Sequence, residues 1–411
     1  MYDQSFGESS LFGLFRDSDS SKMPHLAITG KAVASAAAAH AEAIFGGTNP
    51  LQELHVRGKQ VYRSSSFQDE LILRKVTHNI RRSFHQRSRG RRFIVETLVA
   101  HLAEGLPYRV YKRDVHRFYP SFLHQEVQQV IESDGRLSWL TKRLVERILA
   151  GHTALNGTGL PVGLGLSAVL SELMMRTFDE KLKSNPHVRF YARYVDDIVL
   201  ITNGEESEDE FSRLLRSSLP RGLSFNSLKT FSQEADPPAP AQFMGIHFCY
   251  LGYSIRVETS TKEQLKTIGR KVDVDLSPAK TKKIKTRIVR ALRAHSLNPD
   301  FALLKKRIAF LASNTSLPVA GQSVRRLVGI YHTYPLITVQ AGSMLHELDR
   351  FCRYLVLSPK GRSLDGLAQT LTRSHRSQLL GLSFLEGYTK RRFISVSRVQ
   401  LGAIRKCWAN E

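Results

Sequence analysis

Three aspartates stand at positions where an acidic side chain is costly, beside apolar segments rich in β-forming residues. Asp114 ends one such segment, and Asp196 and Asp197 lie between two others. Adjacent carboxylates among apolar strand residues repel each other and lose solvation unless a cation neutralises them. Mg²⁺ prefers hard oxygen ligands and keeps positions open for water and phosphate. Three carboxylates on neighbouring strands can hold two such ions about 3.5–4 Å apart, which activates an attacking hydroxyl and stabilises a leaving pyrophosphate.

The Asp196-Asp197 pair also has a plainer interpretation. Asp tolerates turn dihedral angles, so an isolated Asp-Asp pair is most often a solvated hairpin turn. Residues 189–202 (RFYARYVDDIVLIT) are two β-rich arms around the pair, which predicts a hairpin. Residues 108–118 alternate in polarity, which predicts a strand that carries Asp114. The apolar arms and the second acidic segment favour cation binding over the solvated turn.

Charge is the unusual feature of the composition. The chain has 411 residues, with 60 Lys and Arg against 37 Asp and Glu, and a net charge of +23. A field of this sign attracts polyanions, of which nucleic acid is the commonest large one. The three cysteines lie far apart, which excludes a Cys-rich zinc module and predicts a cytoplasmic protein. No apolar run approaches the roughly 20 residues of a membrane span, so no membrane partner is expected.

Helical and strand-like segments are mixed along the chain, and the predicted fold class is α+β. A stretch rich in Ser and Asp at 1–24 is expected to be a flexible arm, and helices with a basic segment follow at 25–107. Strand patterns dominate 108–257, with a helical insertion at 121–158. From 258 to 411 the pattern is helical, and this part carries most of the net charge.

Five motifs occur in the order that they have in reverse transcriptases. Tyr194-Val195-Asp196-Asp197 resembles the YxDD box of that family, and residues 114–121 (DVHRFYPS) resemble its first catalytic strand. Residues 159–167 (GLPVGLGLS) resemble the "LPxG…S" loop under the incoming nucleotide and template. Residues 223–230 (LSFNSLKT) resemble the segment with a lysine near the triphosphate, and 243–245 (FMG) resemble the primer grip. Five boxes in order at compatible spacings are a specific signal.

The resemblance implies a right-hand polymerase. Its fingers would lie in 25–107, an antiparallel-sheet palm in 108–257, and a basic helical thumb with a C-terminal extension in 258–411. Asp114, Asp196 and Asp197 would be the catalytic residues. Together with the backbone of Val115 they would hold two Mg²⁺ ions, for which Mn²⁺ could substitute.

The resemblance also implies the residues around the nucleotide. Tyr119, next to Phe118, would place its ring against the sugar C2′ and exclude a 2′-hydroxyl, so that dNTPs are preferred; without the motif it would be read as a core aromatic residue. Lys229 would protonate or pair with the leaving pyrophosphate, although a surface lysine is the ordinary alternative.

The loop motif contains one departure from the family. Pro161, Val162 and Gly163 would line the nucleotide, and many reverse transcriptases carry glutamine where this chain has Val162. An apolar side chain cannot hydrogen-bond there, which implies unusual handling of the template or nucleotide. The primer grip would consist of Phe243, Met244 and Gly245.

Basic residues supply candidate phosphate contacts in two places. The guanidinium group of arginine can donate to two phosphate oxygens at once. Four arginines of the basic segment are therefore candidates for the fingers contact to the triphosphate: Arg81, Arg82, Arg91 and Arg92. The thumb helices would grip the template–primer through phosphates and A-form shape rather than sequence. The candidates there are Lys282, Lys283, Lys285, Arg287, Lys305, Lys306 and Arg307.

The C-terminal part resembles the helical tail of prokaryotic retron-like and abortive-infection reverse transcriptases, as in residues 303–314 (LLKKRIAFLASN). With its loop at 159–167, the chain most resembles the defence-associated reverse transcriptases, in particular their type 3 group. That implies a cytoplasmic enzyme of bacterial antiviral defence that copies a structured non-coding RNA into DNA from dNTPs. Its partners would be a companion defence protein, a second reverse transcriptase or further copies of itself.

Other functions stay open from the sequence. A template-independent or protein-primed DNA polymerase, or an RNA polymerase, could use the same palm; Val162 leaves untemplated synthesis open, whereas Tyr119 argues against ribonucleotides. A non-catalytic RNA-binding scaffold is a third candidate. The intact aspartate set argues against it, because a relic has no reason to keep buried carboxylates.

Overall fold

The computed structural model describes residues 3–16, 19, 26–56, 58–84, 90–235, 245–259, 269–318, 325–357 and 368–409. The chain divides into two compact units. The first comprises Met1–Arg89 and Leu106–Asp236, and the second comprises Gly90–Gly105 and Pro237–Glu411. Both contain helices and antiparallel sheets, which confirms the predicted α+β class. None of the described helices is long and apolar enough to cross a membrane.

Helices and strands are interspersed along the described chain. The helices are α1 (Glu8–Phe12), α2 (Leu26–Glu42), α3 (Phe67–Ser83), α4 (Arg91–Leu102), α5 (His124–Ser133), α6 (Trp139–Ala154), α7 (Gly165–Met174), α8 (Arg176–Lys183), α9 (Glu208–Ser218), α10 (Pro278–Leu297), α11 (Phe301–Ala312), α12 (Ile330–Thr333), α13 (Met344–Leu357), α14 (Arg373–Leu380), α15 (Phe384–Thr389) and α16 (Arg398–Lys406). The strands are β1 (Leu51–Val56), β2 (Lys59–Ser64), β3 (Tyr108–Asp114), β4 (Val188–Tyr194), β5 (Asp197–Thr202), β6 (Phe231–Ala235), β7 (Ile246–Tyr250), β8 (Tyr253–Thr259), β9 (Arg270–Leu276), β10 (Asn314–Pro318) and β11 (Arg325–Gly329).

A four-stranded antiparallel sheet is the framework of the first unit, with strand order β4-β5-β3-β6. The β4–β5 pair confirms the hairpin predicted for 189–202, and β3 confirms the strand that carries Asp114. All of β5 except its first residue is buried, as expected of a continuous apolar run. Apolar residues of β3 and β5 share one core cluster with those of α3 and α5–α9.

Local capping signals explain where several helices of the first unit begin. The Ser66 side chain accepts from the N–H of Asp69, and the Asp69 carboxylate bonds back to the backbone of Ser66, which forms a capping box at α3. Ser138 caps α6 and Ser207 caps α9 in the simpler way, through one bond from the third helical residue. These caps fix the first turns of three helices of the first unit.

The buried Asn314, at the start of β10, connects α12 and α15 of the second unit. The amide nitrogen of Asn314 donates to the carbonyls of Gly387 (3.2 Å) and Arg392 (3.1 Å). Its amide oxygen accepts from the N–H groups of Tyr331 (3.0 Å) and His332 (3.2 Å). The four bonds use both donors and both lone pairs of the amide, so the side chain is buried without an unsatisfied polar atom.

The structure differs from the sequence prediction in three elements. The sequence predicts helices and a basic segment in 25–107 and no hairpin before the basic segment, whereas Leu51–Val56 and Lys59–Ser64 pair as the β1–β2 hairpin. It predicts a helical C-terminal part, whereas β9 completes the sheet β7-β8-β9 and β10 pairs with β11. It groups 91–102 with the preceding helices, whereas α4 belongs to the second unit, where the N–H of Arg270 donates to the carbonyl of Ala103 at 3.1 Å.

Two helical glycines of the second unit test the packing around Asn314. A Cβ built at Gly387 would lie 1.7 Å from the carbonyl oxygen of Ala312, whereas a Cβ at Gly402 meets nothing within 4 Å. We expect Gly387→Ala to lower the free energy of unfolding by about 3 kcal/mol through overpacking. The matched Gly402→Ala change should raise it by about 0.5–1 kcal/mol, because alanine is the better helix former. Urea denaturation followed by circular dichroism measures both; equal effects would contradict the packing described.

Candidate metal and nucleotide site

Strand register brings the three predicted aspartates together. Asp114, the last residue of β3, pairs with Asp197, the first residue of β5. Asp197 also pairs with Tyr194, so Val195 and Asp196 form a two-residue turn. Val195 has a φ of +62°, which is a strained conformation for a β-branched residue. Such strain persists only where the surrounding structure holds the turn in place.

Hydrogen bonds fix the end of β3 on both sides. The N–H of Val115 donates to the carbonyl of Asp196 at 3.1 Å, and the N–H of Asn226 donates to the carbonyl of Asp114 at 2.7 Å. The N–H and C=O of one extended residue point to the same side of a strand, so the carbonyl of Val115 also faces the Asp196 turn. The carbonyl oxygen of Val115 therefore lies on the side of the strand from which it could bind a metal ion together with Asp196.

A lysine supplies positive charge to the carboxylates. The side chain of Asp114 is only 8% exposed, and its Oδ1 accepts from Lys229 Nζ at 2.9 Å. This bond raises the pKa of Lys229, so its ammonium group is charged at neutral pH. Burial raises the pKa values of Asp196 and Asp197, and the negative charges of their acidic neighbours raise them further. The site thus holds more negative charge than Lys229 alone compensates.

The oxygen atoms at this site are of the chemical type that Mg²⁺ binds. Carboxylate and carbonyl oxygens are the ligands that this ion prefers, and the half-buried Asp196 and Asp197 lie beside the buried Asp114. Among the described residues, however, no group of three or more His, Cys, Asp or Glu side chains is arranged so that it could hold a metal ion. The Lys229 ammonium is the cation that contacts Asp114.

Tyr119 links the aspartates to the loop predicted to hold the nucleotide. It is half-buried, with its ring centroid 5.3 Å from that of the buried Phe118. Its carbonyl accepts from the N–H of Leu160 at 2.8 Å, and a Cβ at Gly159 (φ +66°) would lie 2.5 Å from the same oxygen. Burial raises the pKa of Tyr119, and the Asp196 carboxylate is among the charges that raise it further.

The missed β1–β2 hairpin supports this loop. The carbonyl of Val162 accepts from the N–H of Tyr62 at 2.8 Å, and the carbonyl of Pro161 accepts from Ser167 Oγ at 2.6 Å. Gly163 has a φ of +107°, and a Cβ there would lie 2.8 Å from the carbonyl of Tyr62. The loop backbone is thus bound to β2 and α7. The alternating arms around Gly58 are the sequence signal that could have predicted the hairpin.

The four arginines proposed for the triphosphate lie on two helices. Arg81 and Arg82 are exposed in the last turn of α3. Arg92 is exposed on α4, where its Nε lies 2.7 Å from Glu96 Oε1. Arg91 is half-buried among aromatic rings of the second unit. Arg81 and Arg82 thus belong to the first unit and Arg91 and Arg92 to the second, and a contact of any of them with a triphosphate stays a prediction.

The predicted thumb cations differ in exposure. Lys282, Lys283, Lys305 and Lys306 are exposed, and Lys305 Nζ donates to Gln378 Oε1 at 2.9 Å. The others are held by their neighbours: Lys285 pairs with Glu347, Arg287 lies 5.4 Å from the ring centroid of Trp408, and Arg307 donates to the carbonyl of Ala403 at 3.2 Å. Arg307 is 7% exposed, so its prediction as a surface nucleic-acid contact is corrected.

The primer-grip prediction is only partly covered by the structure. Phe243 and Met244 lie outside the described residues. Gly245 precedes β7 with a φ of +75°, and a Cβ there would lie 2.9 Å from the carbonyl of Val257. Glycine is therefore required at this position by the pairing of β7 with β8.

Sequence reasoning missed Arg193, which holds the strained turn. Its side chain is 3% exposed and donates to both carboxylate oxygens of Glu172 on α7, each at 2.9 Å. It also donates to Asp179 on α8, at 2.9 and 2.7 Å, and to the carbonyl of Val195 at 3.1 Å. One guanidinium thus joins two helices to the turn between Tyr194 and Asp197. Its position directly before the YxDD box was the available signal.

We expect Arg193→Gln to lower the free energy of unfolding by about 3–5 kcal/mol, because two carboxylates lose a buried partner. The matched change is Arg176→Gln on α8, whose partner Glu180 lies at 3.4 Å with both side chains about half exposed or more. That exposed pair should contribute less than about 1 kcal/mol. Chemical denaturation of both variants compares them; similar losses would mean that Arg193 does not organise the turn.

Comparison with known proteins adds no family assignment. Neither a scan against family models nor a search of curated proteins returns a match. The functional interpretation therefore depends on the site geometry and on the order of the motifs.

Proposed function

We propose that the protein is an RNA-directed DNA polymerase whose palm is the four-stranded sheet of the first unit. The observation that carries this proposal is the β3–β5 register, which pairs Asp114 with Asp197 and puts Asp196 in the adjoining turn. Acidic residues on adjacent strand ends are the arrangement that two-metal nucleotidyl transfer needs. The proposed reaction joins the 3′-hydroxyl of a primer to the α-phosphate of a dNTP and releases pyrophosphate.

The proposed metal ligands are Asp114, Asp196, Asp197 and the carbonyl of Val115. Bound there, Mg²⁺ would supply Lewis-acid polarisation of the phosphate and a lowered pKa for the attacking hydroxyl. The chain's own contribution is to place one buried and two half-buried carboxylates at adjacent strand ends, where their mutual repulsion favours a divalent cation. The bonds from Val115 and Asn226 keep the end of β3 aligned with the turn.

Lys229 and Tyr119 have separate proposed roles. Lys229 is 55% exposed and charged, so it can turn from Asp114 to a leaving pyrophosphate, as a charge partner or proton donor. Tyr119 is half-buried with its backbone fixed by Leu160, so its ring can act as a rigid wall against the sugar. A rigid aromatic ring at C2′ discriminates by exclusion of a hydroxyl group.

The partners in this proposal follow from charge and from the resemblance of the motifs. The exposed Lys282, Lys283, Lys305 and Lys306 of the second unit are proposed to contact template–primer phosphates. A structured non-coding RNA is the proposed template and DNA the product, in the cytoplasm of a bacterium that uses the enzyme for antiviral defence. The proposed protein partner is a companion protein, a second reverse transcriptase or further copies of this chain.

Asp196→Asn tests the polymerase proposal directly. The purified protein with its copurifying nucleic acid, Mg²⁺ and labelled dNTPs should form polymer, and the variant should be slower by at least about a thousandfold. The matched control is Asp209→Asn, which removes the same charge from an exposed position on α9 and should keep full activity. Polymer formation at the wild-type rate by Asp196→Asn would refute the proposal.

The same assay separates the competing functions. Synthesis that persists after RNase treatment identifies template-independent or protein-primed polymerisation. Incorporation of ribonucleotides at the rate of dNTPs identifies an RNA polymerase. Tight RNA binding without synthesis and without dependence on Mg²⁺ identifies a scaffold.

Tyr119→Ala should relax sugar discrimination. Loss of the ring opens space at C2′, and we expect the preference for dNTPs over ribonucleotides, measured as a ratio of kcat/KM values, to fall by about 10- to 100-fold. Tyr119→Phe keeps the ring and should keep the preference. Unchanged discrimination in Tyr119→Ala would remove Tyr119 from this role and leave it as a core aromatic residue.

A further inference from the structure

Two histidine side chains converge on one backbone carbonyl of the loop at 159–167. His152, in the last turn of α6, is 1% exposed, and its Nδ1 lies 3.1 Å from the carbonyl oxygen of Gly159. His124, the first residue of α5, is half-buried, and its Nε2 contacts the same oxygen. A carbonyl oxygen can only accept, so each of these ring nitrogens carries a proton and donates it to Gly159. The end of one helix and the start of another are thus bound to the same point of the loop.

Close packing fixes the ring of His152. A Cβ built at Gly157 would overlap the imidazole, and the ring of Tyr62 meets it edge to face with the centroids 4.3 Å apart. Burial, together with the charge of His124, lowers the pKa of His152 to about 4, so this ring is neutral at pH 7. A neutral imidazole has one N–H, and here that N–H is used on the carbonyl of Gly159.

The bond from His124 is compatible with both protonation states of its ring. His124 Nδ1 lies 3.1 Å from Thr153 Oγ1, which also lies 3.2 Å from the carbonyl oxygen of Leu149. The Thr153 hydroxyl can donate to the neutral ring, or it can accept from the charged ring and donate to Leu149. In either case Nε2 keeps its proton, and the bond to Gly159 persists.

One peptide group connects the two histidines to Tyr119. The carbonyl of Gly159 and the N–H of Leu160 belong to the same planar trans peptide unit, so they point in opposite directions. The histidines bind this unit through its oxygen, and the carbonyl of Tyr119 accepts from its N–H at 2.8 Å. A Cβ at Gly159 would overlap the carbonyl of Pro120, so the two backbone segments are in direct contact.

We infer that His124 and His152 are positioning residues, which orient the peptide unit between Gly159 and Leu160 and thereby hold the Tyr119 ring at the sugar. This inference rests on the proposed polymerase function and names residues that set its choice of nucleotide. A peptide unit that is bound on both sides cannot rotate without the loss of a hydrogen bond. Without the histidine donors the unit is free to rotate, and the Tyr119 backbone that it binds can shift. A displacement of about 1 Å is enough to change the rate of a positioned reaction substantially.

Variants that remove or keep each N–H test this inference in the full-length protein with its copurifying nucleic acid and Mg²⁺. His124→Leu and His152→Leu remove the donor while a side chain of similar size remains. The amide nitrogen reproduces Nε2 in His124→Gln and Nδ1 in His152→Asn. His40→Leu is the matched control, because His40 is a half-buried histidine on α2 of the same unit that pairs with Asp69 at 3.1 Å.

The measured quantity is the preference for dNTPs over ribonucleotides as a ratio of kcat/KM values, in which the concentration of folded enzyme cancels. We expect His124→Leu and His152→Leu each to lower this preference by about 3- to 10-fold. His124→Gln, His152→Asn and the His40→Leu control should keep it within about twofold of the wild type. Combined with Tyr119→Ala, the two Leu changes should lower it no further, because the histidines act through the Tyr119 ring.

Three results would contradict the inference in different ways. The wild-type preference in every folded Leu variant of an enzyme that forms polymer would overturn it and leave the proposed function intact. A fall of the same size in the Tyr119→Ala background would also overturn it, because the histidines would then act by another route. The absence of polymer with the wild-type protein would instead refute the proposed function, and this inference with it. His124→Leu decides the outcome where His152→Leu does not fold.

Discussion

The repulsion among carboxylates at the ends of β3 and β5 is the constraint on which the candidate site depends. The register pairs Asp114 with Asp197, and the two-residue turn puts Asp196 beside them. Burial strengthens the repulsion because little water is present to screen it. Lys229 donates to Asp114, and its charge also lowers the pKa values of Asp196 and Asp197, although its side chain is half exposed. An arrangement of this kind is tolerated when the fold holds it and a ligand of opposite charge completes it.

The fold holds the turn with buried ion pairs, which are strong when complete. Arg193 joins Glu172 and Asp179 to the carbonyl of Val195, so the strained turn is fixed by two helices that lie in the core of the first unit. At the other end of β5, Arg109 donates to Glu206, whose carboxylate also accepts from Thr202. Arginine side chains therefore anchor both ends of β5. The aspartates at the end of β3, in the turn and at the start of β5 carry more negative charge than Lys229 alone compensates.

Much of this site could be predicted from the sequence, because its elements have short-range patterns. The hairpin at 188–202 and the strand before Asp114 show alternating polarity or continuous apolar runs. The three aspartates lie within or directly beside these segments. Arg307 had a readable signal as well, since Leu304, Ile308 and Leu311 place it on the apolar stripe of α11. The packing of Arg91 against two aromatic rings could not be predicted in this way. Tyr253 and Tyr334 are distant in sequence, and only tertiary packing brings α4 against them.

Burial distinguishes the aspartate site from ordinary surface acids. Exposed charges of either sign are solvated and need no partner. Asp114 is buried, and burial raises the pKa values of the half-buried Asp196 and Asp197. The positive charge of Lys229 offsets part of this cost for both, and that of Lys112 does so for Asp197. A divalent cation bound by the three carboxylates would offset the remainder, and this is the physical reason why the proposed polymerase needs one.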